Sequence, residues 1–522
     1  MTLMLTLGTA TFGAQKTLPS GKDTGSINVT NLKPGDTVTA YQFVKADYNE
    51  YGFTGYSAIN NYVKDPVAPT AQEVIDMASN AATMTVAAEK KVATGDTEVT
   101  INGLPVGYYL VMVTSGSETV YSPMIAGIYY SKSATDNTLT NGAISADSDF
   151  EIKAQKCWAK SSTPKLEKTI VTPSSKNSKG DHIAIGDTIT FKLSATVPSY
   201  SKEYKKVTYK IYDIMSEGLD YVDGSMKCFI EKYENNRENI KVTPKVNGGI
   251  IEITFDSKFI LEHPGQKIQV EYQAKLNEKA GVNFDANINK AYLEYSNNPA
   301  SGSTAKTGED KVYVYTFGID SNLFGKSTEK WNEKTKELIK VEEGEYQWVE
   351  TEKESGIFTT TTALEGAIFT LTNNKTKKSY TATSDKYGYL KFTGLDAGEY
   401  TLQETDAPDG FTLNDAKHTV VITAEYNQDG TLKSYTIKID DKATSTYTAT
   451  YDKGVIKTIT SIKDSQGNIS ESAILKNSKM SFLPSTGGVG TTIFAIVGVV
   501  FVAAALCLHM ILRGKSKLEQ DR

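Results

Sequence analysis

The sequence predicts an all-β protein built as a string of β-sandwiches, and three observations carry that prediction. The 522 residues exceed what one core supports: at about 150 residues per domain, three or four domains are expected. Thirty tyrosines, with abundant threonine and valine, favour pleated strands over helices. Short runs of alternating apolar and polar residues are separated by Gly, Asn and Asp turns. Composition also excludes function classes. The 62 acidic and 56 basic residues leave a net charge of −6 spread along the chain, with no broad basic surface for nucleic acid. Cys157, Cys228 and Cys507, like His182, His263, His418 and His509, are too dispersed for a disulfide framework or a metal knuckle. No metal or cofactor is expected, and no nucleophile, base and orienter cluster of an extracellular enzyme is legible.

Residues Met1 to Ala14 form a short apolar stretch ending in small residues, and they read as a partial secretory signal peptide whose basic start lies upstream; the plainer alternative is a first strand. A first β-module is expected over 22–160. Within it, Thr70-Ala71-Gln72-Glu73 reads as a capping box for a helix reaching about Asn80, a surface decoration of the module. Between the two ends of the chain one internal repeat is visible. Gly103-Leu104-Pro105-Val106-Gly107-Tyr108-Tyr109-Leu110-Val111-Met112-Val113 lies without a gap on Gly394-Leu395-Asp396-Ala397-Gly398-Glu399-Tyr400-Thr401-Leu402-Gln403-Glu404. Two modules of one type therefore flank a different middle module, expected over 164–312, with the third over 313–480.

Period-two reading exposes polar residues where apolar ones belong. In the third module Tyr400, Leu402 and Glu404 share one strand face, so a carboxyl points inward. Burial as an anion is costly, which favours a protonated acid able to donate a hydrogen bond. The first module carries Val113 at the equivalent place. The middle module repeats the anomaly three times: Lys168 between Leu166 and Ile170, Asp213 after Val207, Tyr209 and Ile211, and Asn289 before Ala291, Leu293 and Tyr295. Each alone reads more simply as a strand-edge or snorkelling residue.

The end of the chain is organised differently. Thr491 to Leu512 is an uncharged apolar run long enough to cross a bilayer, followed by Arg513, Lys515 and Lys517, which places the preceding residues outside the cell. Immediately before it stands Leu483-Pro484-Ser485-Thr486-Gly487, where Pro484 disfavours helix and presents an extended segment. The pentapeptide, the span and the basic tail over 483–522 together resemble the LPXTG cell-wall sorting signal of Gram-positive surface proteins. Further residues narrow the resemblance. Glu404-Thr405-Asp406-Ala407-Pro408-Asp409-Gly410-Phe411 is similar to the E-box of sortase-assembled pilins and collagen-adhesin B-type modules, and Leu364-Glu365-Gly366-Ala367-Ile368-Phe369 precedes it as LxGAxF does there. The chain is thereby identified as resembling the major, or backbone, pilins.

That resemblance implies three tandem immunoglobulin-like modules, CnaB-like, CnaA-like and CnaB-like, followed by a transmembrane helix. It implies that Lys168 and Asn289 form an intramolecular isopeptide bond with Asp213 as catalytic acid. A desolvated lysine loses its proton, Asn supplies a carboxamide carbon, and a protonated acid polarises its carbonyl while ammonia leaves. In the third module Glu404 would be the acid and Asn477 the acceptor. Leu323 occupies the usual lysine place, so Lys326 is the candidate lysine if the strand bulges. Charged residues from Lys330 to Thr362 read as an insertion or hairpin, with Trp331 and Trp348 as local packing.

For assembly, the resemblance implies that a sortase cysteine attacks the Thr486 carbonyl and releases Gly487 onward. Cys157-Trp158-Ala159-Lys160 stands at the place of the pilin motif, making Lys160 the nucleophile, with Trp158 and Ala159 departing from the family's Tyr and Pro and Lys165 as rival. Cys157 reads as a small packing residue. The implied partners are class C and housekeeping sortases, identical pilin subunits and peptidoglycan, with the membrane touched only by the precursor. The implied location is a pilus on the cell wall. The alternative is a monomeric wall-anchored adhesin that binds a host protein or glycan.

Overall fold

In the computed structural model the described residues are 18–462, apart from 116–117, 132–143, 145–149, 172, 232–236, 320–328, 333–336, 341–346, 352–357, 363–364, 386–389 and 441, together with 478–479. They form three β-sandwich bodies in series, each around its own apolar core.

In the first body, β1 (Thr24–Thr30), β2 (Thr37–Asn49), α1 (Ala71–Ser79), β3 (Glu98–Pro105), β4 (Gly107–Thr114), β5 (Met124–Ser131) and β6 (Lys156–Trp158) are the principal elements. One sheet carries β6, β1 and β3 in that order, and β2, β4 and β5 are neighbours in the other. The helix starts as its capping box requires: Thr70 Oγ1 accepts from Glu73 N, and the Glu73 carboxylate accepts from Thr70 N. It is more than decoration. Met77 and Ala78 pack with Phe43 and Leu110, and Ile75 joins the core of the middle body.

The middle body places β7 (Leu166–Ile170), β8 (Thr188–Thr196) and β10 (Lys267–Leu276) side by side in one sheet, and β9 (Tyr209–Met215), β11 (Asn287–Asn298) and β12 (Asp310–Tyr315) in the other. Alternation does the packing: Leu166, Lys168 and Ile170 face the core while Glu167 is exposed. The strand β12 serves two cores. Val312 and Val314 belong to the middle one, and Tyr313 and Tyr315 to the third.

The third body is a sheet in which β13 (Ile368–Asn373), β15 (Gly398–Asp406), β16 (Lys417–Tyr426), β17 (Leu432–Ile439), β18 (Lys442–Asp452) and β19 (Val455–Ile462) pair in order, and β14 (Phe392–Leu395) pairs separately with Phe317–Ile319. The Lys330–Thr362 stretch contains two antiparallel hairpins, Glu329–Asn332 with Glu337–Lys340 and Gln347–Thr351 with Phe358–Thr362.

The internal repeat is visible in the backbone. Gly103 and Gly394 both take a left-handed φ, +72° and +74°, at the turn into the repeated strand. Four residues after the turn proline or aspartate, a tyrosine hydroxyl donates back to it: Tyr109 to Pro105 O at 2.6 Å and Tyr400 to Asp396 O at 2.8 Å. The same hydrogen bond therefore locks the corner in both modules.

Candidate functional site

The centre of the middle sandwich holds polar groups that neither sheet satisfies alone. From one sheet, β7 contributes Lys168 and β10 contributes Tyr272; from the facing sheet, β9 contributes Asp213 and β11 contributes Asn289. Pairing fixes their register. Leu193 on β8 lies between Lys168 on β7 and Val270 on β10, which brings Tyr272 near on the same face. Asp213 pairs with Ala291 and Met215 with Asn289, so the acid and the amide are diagonal neighbours on one face.

Lys168, Asp213 and Asn289 are completely buried, and Tyr272 nearly so. The Lys168 Nζ donates to Asp213 Oδ2 and lies 3.1 Å from the Tyr272 hydroxyl, which donates to Asp213 Oδ1 at 2.7 Å. Asn289 Nδ2 donates to the same hydroxyl at 2.7 Å. Aromatic faces close the site, with Nζ 5.0 Å from the Phe191 ring centroid and 5.3 Å from that of Tyr272. Burial pushes the Lys168 pKa below the ordinary lysine value against the opposing pull of Asp213, which favours the nucleophilic amine. Burial, with the Asp213 charge, holds the Tyr272 hydroxyl well above the usual phenol range, so it keeps its proton. Asn289 Oδ1 is buried without a hydrogen-bond partner, an arrangement that costs about 1–3 kcal/mol in a resting protein.

The structure thus brings together Lys168, Asp213 and Asn289, as alternation along their strands requires. It adds Tyr272, which sequence reasoning missed. On β10 that tyrosine alternates with Ile268, Val270, Ala274 and Leu276, all buried, and nothing in the pattern separates it from a core aromatic.

In the third body Glu404 is buried on β15 opposite Phe369, and its Oε2 accepts from Asn414 N at 2.7 Å. Lys326 and Asn477 lie outside the described residues, as do Leu483, Pro484, Ser485, Thr486 and Gly487, the Met1 to Ala14 stretch and the Thr491 to Leu512 run. Among the described residues no helix is long and apolar enough to cross a membrane, and no group of three or more His, Cys, Asp or Glu is placed to hold a metal. In the first body, Val113 occupies the place of Glu404, packed in the core.

Lys160 is exposed at the end of the first body, two residues after β6, with its carbonyl anchored by Ser122 N at 3.0 Å. The strand before it is held by parallel pairing to β1, and Ala159 N donates to Thr30 O at 3.0 Å. Trp158 is 69% exposed beside it. Cys157 is buried, and desolvation pushes its thiol up to about 11, so it packs rather than reacts. The rival Lys165 is also exposed, after a buried Pro164.

Known proteins share this architecture. Residues 22–161 match the T6 antigen Ig-like domain family, and residues 358–441 match the SpaA prealbumin-like fold domain family. The trypsin-resistant surface T6 protein of Streptococcus pyogenes serotype M6 is 27% identical over 95% of this chain and 96% of its own length. The solved T6 backbone pilin of serotype M6 S. pyogenes, described as a modular three-domain structure, superposes with a TM-score of 0.58 at 21% identity, covering 89% of this chain and 100% of that one. The chain is similar along nearly its whole length to the T6 surface protein, and it shares the fold of the T6 backbone pilin. The full-length major pilin SpaD from Corynebacterium diphtheriae aligns over 76% of this chain and 90% of its own, at 17% identity and a TM-score of 0.45. Lys168, Asp213, Tyr272 and Asn289 of the middle body lie between the two segments that the family models match.

Proposed function

We propose that the chain is the backbone subunit of a Gram-positive pilus, displayed on the cell surface, polymerised head-to-tail by a class C sortase and stiffened by an internal Lys168–Asn289 isopeptide bond. It is a structural protein whose only chemistry is on itself. The observation that carries the internal bond is the fully buried amine of Lys168, paired to Asp213 and sharing one hydroxyl with the carboxamide of Asn289. The neutral Nζ attacks Asn289 Cγ, the Cγ–Nδ2 bond breaks, and the proton given up by Nζ leaves with Nδ2 as ammonia. On the way Asp213 takes up the Nζ proton at the oxygen facing Nζ, and an equivalent proton is passed on to Nδ2. Positioning supplies the rate, because all three groups are held in place by two packed sheets.

Between subunits, the sortase cysteine attacks the Thr486 carbonyl and releases the chain from Gly487 onward. The Lys160 amine of the next subunit then takes the acyl group and frees the thiol. Anchoring to peptidoglycan by a housekeeping sortase ends the fibre. Two features support Lys160: it is exposed, and its backbone is clamped by β1 and Ser122, so the amine projects from a firm edge. Each subunit contributes one nucleophile and one acyl group at opposite ends, which generates an open fibre rather than a closed ring. The test is a denaturing gel of wall extracts. The wild type gives a covalent ladder, and Lys160→Arg, which keeps the charge and removes the usable amine, gives a single band. A full ladder in that variant, with Lys165→Arg abolishing it, would move the nucleophile to Lys165; one band from the wild type would overturn polymerisation itself.

A further inference from the structure

Asp213 and Asn289 have no hydrogen bond to one another. The two carboxylate oxygens of Asp213 are directed to Lys168 Nζ and to the Tyr272 hydroxyl, and only Tyr272 touches the amide that must lose ammonia. The tyrosine hydroxyl therefore stands between the acid and the leaving group, 2.7 Å from each. It also lies 3.1 Å from the attacking nitrogen. We propose that Tyr272 is a catalytic residue of crosslink formation, carrying the proton from Asp213 to the departing Nδ2 of Asn289.

The step balances. As the Nζ–Cγ bond forms, one Nζ proton passes to Asp213 Oδ2. The Tyr272 hydroxyl turns its proton from Asp213 Oδ1 to Nδ2 as the Cγ–Nδ2 bond breaks, and the Asp213 carboxyl then returns to the phenolate the proton it took from Nζ. The net result is one amide bond and one ammonia, with Tyr272 and Asp213 restored. Without such a relay the proton released on one side of the site has no described donor through which to reach the leaving nitrogen on the other. A phenol kept protonated by its surroundings suits a group that donates only while the nitrogen is gaining basicity. The ring is held for this by contacts with Phe191 and Tyr221 at centroid distances of 5.6 and 5.9 Å, so the hydroxyl is fixed while the ring fills the core.

This inference rests on the Lys168–Asn289 bond proposed above, and the experiment separates the two. Full-length chain is made by cell-free synthesis, and the branched peptide joining Lys168 to Asn289 is quantified by mass spectrometry over time. Wild-type chain that never yields the branched peptide refutes the bond, and the relay with it. If the bond forms, Tyr272→Phe, which keeps the ring, should slow its appearance at least about a hundredfold, the lower end of what general acid–base groups supply. Formation of the bond by a folded Tyr272→Phe chain at the wild-type rate would overturn the relay alone. Should that variant not fold, 3-fluorotyrosine introduced at position 272 changes the hydroxyl acidity with almost no change in shape. A changed rate and a shifted pH profile of bond formation support proton transfer, and an unchanged rate and profile overturn it.

Discussion

The first and middle bodies solve the same packing problem with opposite chemistry at the centre. In the first, the inward faces of β2 and β4 carry Val38, Ala40, Tyr109, Val111 and Val113, and the core is held by apolar contact. In the middle body, the corresponding layer between the sheets contains an amine, a carboxyl, a carboxamide and a phenol, all buried. Burying such groups for stability alone is a poor exchange, since a well-packed apolar set would serve at least as well. The difference teaches that stability alone does not account for the middle core, which is what the proposed crosslinking reaction would explain. Its polar groups come from both sheets, so the proposed bond from Lys168 to Asn289 would tie β7 to β11 across the sandwich and would keep the first strand from peeling away under tension.

The largest expected effect on this contrast comes from Asp213→Ala. It removes the proposed proton acceptor and leaves Lys168 buried without this partner, which should abolish the branched peptide and destabilise the middle body by about 3–5 kcal/mol, beyond the loss of the crosslink. The proposed crosslink would close a loop of about 120 residues and would be worth roughly 4–5 kcal/mol by analogy with disulfides of that span. Calorimetry of the full chain should show one transition moving far down in temperature while that of the first body stays in place.

The converse change in the first body should cost less. Val113→Glu recreates the acid of the third body's repeat in a core where, among the described residues, no lysine is buried. A loss of about 1–3 kcal/mol, confined to the first transition and without ammonia release, is expected. Ammonia release from the first body in this variant would show that the acid alone recruits the chemistry.

A smaller effect tests the state of Lys168 before reaction. In Asn289→Ala the amine stays free, and burial holds its pKa below that of the unfolded chain. Between the folded value and about 10.4, the unfolded chain binds more protons, so stability rises with pH. The contribution is fully present above about 10.4 and is lost as pH falls through the folded value. Urea midpoints of Asn289→Ala, compared with those of Asn289→Ala/Lys168→Met, should therefore gain with rising pH. A difference that is flat or falls with pH would mean that the amine is held protonated.

Legibility in the sequence followed the same divide. A lysine, an aspartate and an asparagine each break an apolar alternation, and a two-residue period is enough to expose them. Tyr272 does not break it, because a tyrosine is itself an acceptable core residue and only its hydroxyl partners reveal its place. The joints between bodies were equally hidden. His182 Nδ1 lies 2.5 Å from Asp396 Oδ1, Lys378 Nζ reaches Ile185 O at 2.6 Å and Asp187 Oδ1 at 3.0 Å, and Leu432 N donates to the Tyr315 hydroxyl at 3.0 Å. These partners stand far apart along the chain, and no local pattern links them. Nor does helical periodicity say that Ile75 on α1 will enter the neighbouring body's core rather than lie on the surface.

The measurement that bears most directly on the account is peptide mapping of the denatured wild-type chain by mass spectrometry. The account predicts a branched peptide in which Lys168 Nζ is joined to Asn289 Cγ, one ammonia lighter than its two parts. Two separate linear peptides, with Lys168 and Asn289 both unmodified, would contradict it.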